Sequence, residues 1–550
     1  MRRLFATAPA LARSAIAVAC AGLALAACGG GGGSDAGSAA PPPPDASLPP
    51  VERSAVAAAD PGSALPEGWH QGAFMQVFVR SYKDSNGDGV GDLRGLTQQL
   101  DYLRDLGVSG LWLMPVTKSQ DRDHGYAVAD YRDIEPQYGT LADLDTLLRE
   151  AHARGIGVIV DYVINHSAAQ HPAFVNAKAA SSNAYRNWYL WQGIKPGGWS
   201  IYGNDPWRGG AGNWYFAPFW DQMPDWNLLH PEVVAFHHDN LRFWLNRGVD
   251  GFRFDAVGNL VENGPGAWEN QPQNSTVLQG TKAVIGGYAR RFLVCEGPSA
   301  PFRYTTDCGS AFAFNNTGNL IAAAKGDPAA VQRVADFWKS APAGMSTMLA
   351  NHDSFAGDRV FNQFQGNLAQ YRLAAATYLL QPGTPFLYYG EEVGMARGTQ
   401  GGDPGLRTPM SWTGSTANAG FTTGTPYRSL STNVATHNVA AQQADPDSLL
   451  NFYKAMLALR RGLPSVAAGS YEQVVVNGSA MGFQRVLGSE RTLVAINYGS
   501  TAGSVTVAGL PANATLAAAH PATGDALTAG ADGRATVVLP AQAVRVYSLR

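Results

Sequence analysis

Charge and cysteine are both scarce in this sequence. Lysine and arginine number 40, and aspartate and glutamate 43, among 550 residues, which leaves a net charge of only -3. This excludes a protein that relies on a basic surface to attract nucleic acid or anionic lipid. Four cysteines are too few for a disulfide framework in a chain of this length. Apolar residues make up 45% of the chain, so we expect two or three globular domains with a large core.

Long apolar runs are also missing, except near the N-terminus. Arg2, Arg3 and Arg13 accompany an apolar run at 15–27 that is too short to span a bilayer, which takes about 20 residues. The run ends in Leu-Ala-Ala-Cys28, which resembles a bacterial lipobox. We therefore predict a lipoprotein signal peptide over residues 1–27 and lipid attachment at Cys28. Ordinary signal cleavage with an incidental Cys28 is the alternative.

A glycine- and proline-rich segment follows Cys28. Five consecutive glycines begin at Gly29 and four prolines at Pro41, a composition typical of a linker rather than of a packed core. We predict a flexible linker over residues 28–66. We expect the protein to be exported and held by its lipid at a bacterial membrane, unless it is released from that membrane. We also expect it to be a monomer. Gly29 is not the aspartate that often marks inner-membrane retention, which favours the outer membrane or cell surface.

The remaining cysteines, Cys295 and Cys308, lie 13 positions apart in the folded body. An exported protein permits a disulfide between them. Two buried thiols are the alternative, and the sequence leaves both open.

Apolar strands alternate with helices from about Gly72 onwards, which indicates a parallel sheet covered on both faces. We interpret residues 67–166 and 228–461 as a (β/α)8 TIM barrel. Residues 167–227 interrupt the alternation after the third strand, and seven of the thirteen tryptophans fall between Trp188 and Trp226. A stretch this long is expected to form an inserted subdomain. Short alternating strands over residues 462–550 predict an antiparallel β-sandwich.

Three acids follow apolar segments of the predicted barrel: Asp255, Glu296 and Asp353. The carboxyl ends of barrel strands carry active sites, so the three are expected to meet there. Retaining glycosidases need one ionised and one protonated carboxyl about 5–5.5 Å apart. Arg253 faces the same way as Asp255 and should lower its pKa. Glu296 has apolar neighbours and no basic residue beside it in sequence, which favours the raised pKa of a general acid.

Four segments in order resemble the motifs of the α-amylase superfamily, glycoside hydrolase family 13. They are Asp161-Tyr-Val-Ile-Asn165-His166, Gly251-Phe-Arg253-Phe-Asp255-Ala-Val257, Glu296-Gly297 and Asn351-His352-Asp353. Supporting segments at 123–126, 223–227, 382–392 and 407–412 are also similar to that family. The version of the motif at 223–227 resembles enzymes between neopullulanases and oligo-1,6-glucosidases, a group that includes lipoprotein α-amylases.

The resemblance implies a role for each matched position. Asp255 would be the nucleophile, Glu296 the acid/base and Asp353 the carboxylate that binds the hydroxyls of the distorted sugar. Asp161 would be a structural partner of Arg253. The remaining matched side chains would contact that same sugar, Tyr126 by stacking under it: His124, Tyr126, His166, Arg253 and His352.

A loop over residues 84–92 places oxygen-bearing side chains at alternate positions, an arrangement that favours structural Ca²⁺. The expected ligands are Asp84, Asn86, Asp88, the Val90 carbonyl and Asp92. A turn without metal is the alternative. Many α-amylases carry Lys-His after the second motif, where this chain has Gly258 and Asn259. Neither the lysine contact nor the family's usual calcium site is therefore carried over. We expect no organic cofactor.

We predict retaining endo-hydrolysis of α-1,4-glucosidic bonds in starch, glycogen or maltodextrins, because the tryptophan-rich insertion could line a cleft for several glucose units. An α-glucosidase, a maltogenic or neopullulanase-type hydrolase, or a glucan transglycosylase of the same superfamily is the alternative. A glucan-binding surface protein without catalysis is an alternative from another class. It is disfavoured because all three acids are present.

Overall fold

Eight parallel strands close into a barrel in the structure, a computed structural model that describes residues 48–210 and 212–549. We label the strands β1 to β8 in chain order; each pairs with the next, and β8 pairs with β1. Their bounds are β1 Phe74–Val77, β2 Gly110–Leu113, β3 Gly157–Tyr162, β4 Gly251–Phe254, β5 Phe292–Cys295, β6 Ala311–Phe312, β7 Met345–Thr347 and β8 Thr384–Tyr388. The predicted (β/α)8 barrel is confirmed.

Helices alternate with the barrel strands along the chain and form its outer layer. Local sequence marks several of their starts: Thr140 and Asp143 form a reciprocal capping box before the helix that precedes β3, and proline opens the helix that precedes β4. The described α-helices are Val79–Tyr82, Leu93–Gln98, Leu100–Leu106, Leu141–His152, Pro172–Ala179, Pro231–Asn246, Pro272–Gly286, Pro301–Cys308, Phe314–Ala324, Pro328–Ser340, Val360–Gln363, Leu368–Leu380, Val439–Gln443, Leu449–Gly462 and Pro464–Ala468.

Bulky side chains fill the inside of the barrel. The cluster includes Phe74, Trp112, Ile159, Phe292 and Phe386. Side chains along a strand alternate between its two faces, so every second residue of a barrel strand points inward. On β4 the inward series reaches Arg253 and then Asp255, and on β5 it passes Val294 and reaches Glu296. Polar side chains therefore follow the apolar filling at the carboxyl end of the barrel, where this fold places its active sites.

The last part of the predicted linker packs against the barrel, which corrects the prediction of a flexible segment. Residues 48–65 contain no helix or strand. However, the amide of Val56 donates to Asp239, at 3.1 Å, and Arg132 donates to the carbonyl of Ser54, at 2.9 Å. Leu65 is fully buried in the cluster inside the barrel. These partners lie far along the chain, so the composition of the segment alone could not reveal them.

The predicted signal peptide and Cys28 lie outside the described residues. No helix within the described ranges is long and apolar enough to cross a membrane.

The insertion after β3 carries its own small sheet. Trp191–Gln192 and Trp207–Gly210 each pair with the central strand Asn213–Phe216, in antiparallel fashion. Trp188 and Trp226 are buried, whereas Trp220 remains 39% exposed. The tryptophans therefore divide between the core of this sheet region and its surface. A separate hairpin follows β2, with strands Thr117–Ser119 and Val128–Ile134.

Antiparallel strands form the C-terminal part, as predicted. Their bounds are Ser470–Asn477, Ala480–Leu487, Glu490–Asn497, Gly503–Val507, Thr515–His520, Leu527–Thr528, Ala535–Leu539 and Ala543–Leu549. They form a six-stranded sheet and a two-stranded sheet that share a buried apolar cluster, to which Leu493 and Val537 belong. The buried side chain of Arg485 donates to the carbonyls of Gly469 and Leu380, which ties this part to a barrel helix.

Cys295 and Cys308 form a disulfide, with their Cα atoms 6.2 Å apart. The sequence left this pairing open. The bond joins the end of β5 to the end of the helix Pro301–Cys308, and its first cysteine directly precedes Glu296.

Candidate active site

A pocket of about 350 Å³ opens at the carboxyl end of the barrel. Its wall includes the predicted catalytic acids and three of the predicted sugar-binding side chains: His124, Tyr126, His166, Asp255, Glu296 and Asp353. Arg253 and His352 lie behind this wall and are bonded to residues that form it. The structure therefore brings all eight side chains together from separate parts of the chain.

Arg253 is the hub of the site. One guanidinium nitrogen, Nη1, lies 2.8 Å from Asp255 Oδ1 and 2.8 Å from Asp161 Oδ1. The other, Nη2, lies 2.7 Å from Glu296 Oε2. Because Arg253 is opposite Val294 in the register of β4 and β5, Asp255 and Glu296 leave neighbouring strands at the same height. One fully buried cation thus holds both carboxyls within reach of a single sugar ring.

A glycine at the start of β4 permits this pairing. Gly251 has φ +147°, and a Cβ atom there would lie 1.7 Å from the carbonyl oxygen of Phe292 on β5. A residue with a side chain could not bring the two strands so close. The glycine is therefore required for the register of the strands that carry Asp255 and Glu296.

The pKa of Glu296 is raised, as predicted from sequence, whereas the predicted lowering of the pKa of Asp255 is wrong. Burial raises the pKa of Asp255 to about 6, against the opposing effect of Arg253, and the charges of Asp161 and Asp353 raise it further. Glu296 does have a basic neighbour, Arg253, but burial outweighs it and raises the pKa of Glu296 to about 7. A hydrogen bond with Glu296 lowers the pKa of Asp255. We infer that the proton of the pair resides on Glu296 and that Asp255 carries the charge.

Asp353 is held as a carboxylate in the wall of the same pocket. Arg407 Nη2 lies 2.9 Å from Asp353 Oδ1, and His352 Nε2 lies 3.0 Å from Oδ2. Burial would raise the pKa of Asp353, but His352 and Arg407 outweigh it and hold that pKa well below its usual range. Asp353 is therefore a fixed hydrogen-bond acceptor rather than a proton donor.

Tyr126 and His352 form one bonded unit of the wall. Their rings are stacked with centroids 5.5 Å apart, and the Tyr126 hydroxyl lies 2.7 Å from His352 Nε2. The same hydroxyl donates to Asp161, at 2.9 Å, and Gln76 lies 2.6 Å from the other ring nitrogen of His352. These bonds fix the tyrosine ring, which the sequence assigned to sugar stacking, as a rigid surface of the pocket.

His124 and His166 face the pocket as neutral rings. Burial lowers the pKa of His166 to about 3 and also lowers the pKa of His124. A neutral imidazole offers one donor and one acceptor nitrogen, which suits hydroxyl groups. Neither histidine can be the proton donor that a glycosidic oxygen requires at neutral pH, which leaves that task to Glu296.

Several residues of the wall were not identified as site residues from the sequence. Arg407 was placed only in a supporting motif, although its guanidinium contacts Asp353. Phe219, Met223, Phe355 and Asp403 also line the pocket. They lie in connecting segments without a periodic pattern, and only the motifs around Met223 and Arg407 carried a signal.

The segment after β4 departs from the amylase pattern as noted from sequence. Asn259 accepts a hydrogen bond from the Tyr202 hydroxyl, at 3.2 Å, which connects this segment to the insertion. The amide of the preceding Ala256, which adopts a left-handed conformation with φ 47°, donates to Glu296 Oε2, at 3.1 Å. The backbone beside the nucleophile therefore helps to position the acid.

The loop predicted to bind calcium lies between the helix Val79–Tyr82 and the helix Leu93–Gln98. Asp84 accepts from the amides of Asn86, Gly87 and Gly89, and Asp92 accepts from Ser85 and Gly95. Within the described part of the chain, no three histidine, cysteine or acidic side chains are grouped closely enough to hold a metal ion. The donor types suit Ca²⁺, but several of their oxygens engage backbone amides.

A (β/α)8 barrel that gathers an ionised carboxylate, a protonated carboxyl and a third, firmly held carboxylate in one pocket defines a glycoside hydrolase. Comparison with known proteins agrees with this class. A family model described as "Alpha amylase, catalytic domain" matches residues 76–469. The chain belongs to this family, glycoside hydrolase family 13.

Named relatives differ in the bond that they cleave. The chain is 31% identical to an oligo-1,6-glucosidase of Parageobacillus thermoglucosidasius, over 78% of this chain and 90% of the relative. It is 32% identical to alpha-amylase 3 of Dictyoglomus thermophilum, over 78% of this chain and 85% of the relative. The crystal structure of an alpha-amylase from H. orenii superposes with a TM-score of 0.75 at 30% identity, covering 87% of this chain and 99% of that one. The protein is an enzyme that hydrolyses glycosidic bonds of oligosaccharides.

Proposed function

We propose that this protein hydrolyses α-1,4-glucosidic bonds within starch, glycogen or maltodextrins, with retention of configuration at the anomeric carbon. The observation that carries this proposal is the shared contact of Arg253 with Asp255 and Glu296, at 2.8 and 2.7 Å. It keeps two carboxyls of different protonation beside each other, as a double displacement requires.

The reaction follows from these groups in two steps. Asp255 attacks the anomeric carbon while Glu296 gives its proton to the leaving glycosidic oxygen, which produces a glucosyl ester on Asp255. Glu296, now ionised, takes a proton from water, which attacks the same carbon and releases the sugar. Asp353 and the neutral histidines bind the hydroxyls of the ring throughout. Arg253 stabilises whichever of the two catalytic carboxyls is charged.

Attack within the chain is proposed on the basis of the insertion and of two amylases. Trp220 and other aromatic side chains of residues 167–227 are exposed near the pocket. The relatives include the alpha-amylases of D. thermophilum and H. orenii. The similarity to an oligo-1,6-glucosidase favours the second candidate, removal of single glucose units from chain ends.

Hydrolysis of maltoheptaose labelled at its reducing end distinguishes the two candidates. We expect products from the middle of the chain, and proton NMR of fresh product should show the α-anomer first, because two inversions restore the starting configuration. Glucose and labelled maltohexaose as the only early products would support the second candidate. A β-anomer would contradict the two-step reaction in either case.

We also propose that Asp84, Asn86, Asp88, Asp92 and the carbonyl of Val90 bind Ca²⁺ in a structural role. Oxygen ligands at alternate positions of a short loop are what this ion prefers. Ion binding requires the side-chain oxygens that now accept hydrogen bonds from backbone amides to coordinate the ion instead. No step of the reaction passes through this loop.

Removal of calcium is expected to lower the thermal stability of the protein. Binding to the folded state alone stabilises it by mass action, and a site at 100 times its Kd would contribute about 2.7 kcal/mol. For a chain of this size, EDTA should therefore lower Tm by about 3 °C, and excess Ca²⁺ should restore it. The Asp88→Asn variant should show a smaller difference. A Tm that is the same in EDTA and in Ca²⁺ would contradict the proposed calcium site.

From the sequence alone we further propose that Cys28 carries a lipid that holds the exported enzyme, as a monomer, at the cell envelope. The basis is the lipobox-like Leu25-Ala26-Ala27-Cys28 followed by the Gly/Pro segment.

A further inference from the structure

A second cavity, of about 370 Å³, lies at the opposite end of the barrel from the catalytic acids, and we call it the amino-end cavity. Its wall includes Phe292 and Thr384, which are the first residues of β5 and β8. The C-terminal sheet contributes Tyr471 and Arg485. The cavity therefore lies between the barrel and the C-terminal part, and no residue of its wall belongs to the catalytic pocket.

Two arginines beside the amino-end cavity are buried without an acidic partner. Arg485 lines the cavity and is only 1% exposed. Arg460 is also buried and donates to the carbonyls of Gln71 and Gly383, which belong to the wall. Neither arginine forms an ion pair with a carboxylate in the described part of the chain, and none of its acidic side chains lines the cavity. Buried charges are normally paired, because an unpaired charge loses its hydration without compensation.

Backbone carbonyls compensate for only part of this charge. Arg460 and Arg485 donate to the carbonyls of Leu379 and Leu380, at the end of the helix Leu368–Leu380. A helix end carries about half an elementary charge, against the full charge of each arginine. Burial, together with the charge of Arg485, lowers the pKa of Arg460 to about 9, and burial lowers the pKa of Arg485 to about 10. Both side chains remain charged at neutral pH, so positive charge is in excess beside the cavity.

Arg485 also keeps hydrogen-bond donors that no protein group uses. A guanidinium has five N–H groups. Three of them donate to the carbonyls of Ser470, Leu380 and Gly469, at 3.2, 3.3 and 2.8 Å. The others are available to a ligand in the cavity that this side chain lines. Phosphate and carboxylate groups are the usual partners of a guanidinium, because their oxygens match its geometry.

Aromatic rings supply the apolar part of the wall. Their members are His70, Phe292, Trp338 and Tyr471. The rings of His70 and Phe292 are stacked, with centroids 5.1 Å apart. The volume of about 370 Å³ falls within the range of pockets that hold small organic molecules, about 300–1,000 Å³. A ligand that matches both features has an anionic group and a flat or apolar body.

We propose that the amino-end cavity binds a small organic anion, with its phosphate or carboxylate group on Arg485 and its body against the aromatic rings. Such a ligand would join the barrel to the C-terminal sheet, because Arg485 and Phe292 belong to different parts of the protein. The proposal is independent of the proposed function, since the site lies at the other end of the barrel from Asp255 and Glu296.

Isothermal titration calorimetry of the intact protein with phenyl phosphate and with benzoate tests the site, and benzyl alcohol is the uncharged control. We expect one equivalent of the better anion to bind at least tenfold more tightly than benzyl alcohol, because only an anion compensates the charge of the arginines. The comparison of the two anions shows which charged group the cavity takes. Binding should also raise Tm, because the ligand binds the folded state alone.

Two variants assign the binding to this cavity. Arg485→Gln removes the charge and should weaken binding of the better anion at least tenfold, which corresponds to about 1.4 kcal/mol. Ala468→Trp should weaken it as much by filling the cavity, and Ala468 is exposed, so the fold should tolerate the change. Arg491→Gln, on the neighbouring strand and outside the wall of the cavity, is the matched control and should leave Kd unchanged.

Two results would overturn the anion site. One is an affinity for phenyl phosphate and benzoate no higher than that for benzyl alcohol. The other is binding of the anion that survives Ala468→Trp, which would place the ligand elsewhere and which decides the matter if Arg485→Gln does not fold. Neither result bears on hydrolysis, and Ala468→Trp and Arg491→Gln should cleave maltoheptaose at the rate of the unmodified protein.

Discussion

Asp255→Asn should lower kcat on maltoheptaose by about four orders of magnitude or more. The amide cannot form the glucosyl ester, so the covalent route is lost rather than slowed. The fold should remain, because asparagine has the same shape and removes one of the carboxylates crowded around Arg253. Steady-state rates and a thermal melt of the same preparation measure both effects.

Asp403→Asn is the matched control for this variant. Asp403 also lines the pocket and pairs with Arg407, at 3.3 Å, but its carboxylate is partly exposed and is given no part in bond breaking. Its loss should cost about tenfold or less, since exposed ion pairs contribute little. If Asp255→Asn kept more than a tenth of the activity on maltoheptaose, Asp255 would not be the nucleophile.

Glu296→Gln should lower kcat/KM on maltoheptaose by about a thousandfold and alter its pH dependence. General acid catalysis typically contributes factors of this size. The pKa of Glu296 is about 7 and the acid must be protonated to act, so activity of the unmodified enzyme should fall as pH rises through about 7. Asp255, with pKa about 6, must be ionised, so activity should also fall as pH decreases through about 6. The profile should be a narrow bell.

The glutamine variant should lose only the alkaline limb of that bell. A substrate with a leaving group that needs no proton, such as α-glucosyl fluoride, should recover much of the rate of the first step. The two acids titrate as a pair, so the limbs report the pair rather than separate groups. A variant that retained the alkaline limb, or that lost equal activity on both substrates, would assign the proton donor to another residue.

The barrel strands could be predicted from the sequence where they are long and apolar. Gly157–Tyr162 is a continuous buried strand, and its pattern alone predicts it. Ala311–Phe312 is a barrel strand of only two residues, which is too short to show a periodic pattern. It is a strand because it pairs with β5 and β7 on either side. Short strands such as this one are set by tertiary pairing.

The catalytic acids were identifiable because each follows a recognisable segment, but their electrostatics were not. The contact between Arg253 and Glu296 depends on the register of β4 and β5, which no single strand encodes. The rise in the pKa of Asp255 comes chiefly from burial, to which the charges of Asp161 and of Asp353, nearly a hundred positions away, add. Likewise, Phe219 and Phe355 lie in segments without a periodic pattern, where the sequence does not reveal which way a side chain points.

The position of Arg253 has a consequence for the whole catalytic cycle. In the resting enzyme the charged member of the catalytic pair beside Arg253 is Asp255, since Glu296 is protonated. Once Asp255 is esterified it is neutral, and Glu296, having released its proton, becomes the anion on the other nitrogen of the same guanidinium. The net charge of the catalytic pair is thus the same before and after bond cleavage. One negative charge is relayed across a stationary cation, and neither half of the reaction has to create or solvate a new ion inside the protein.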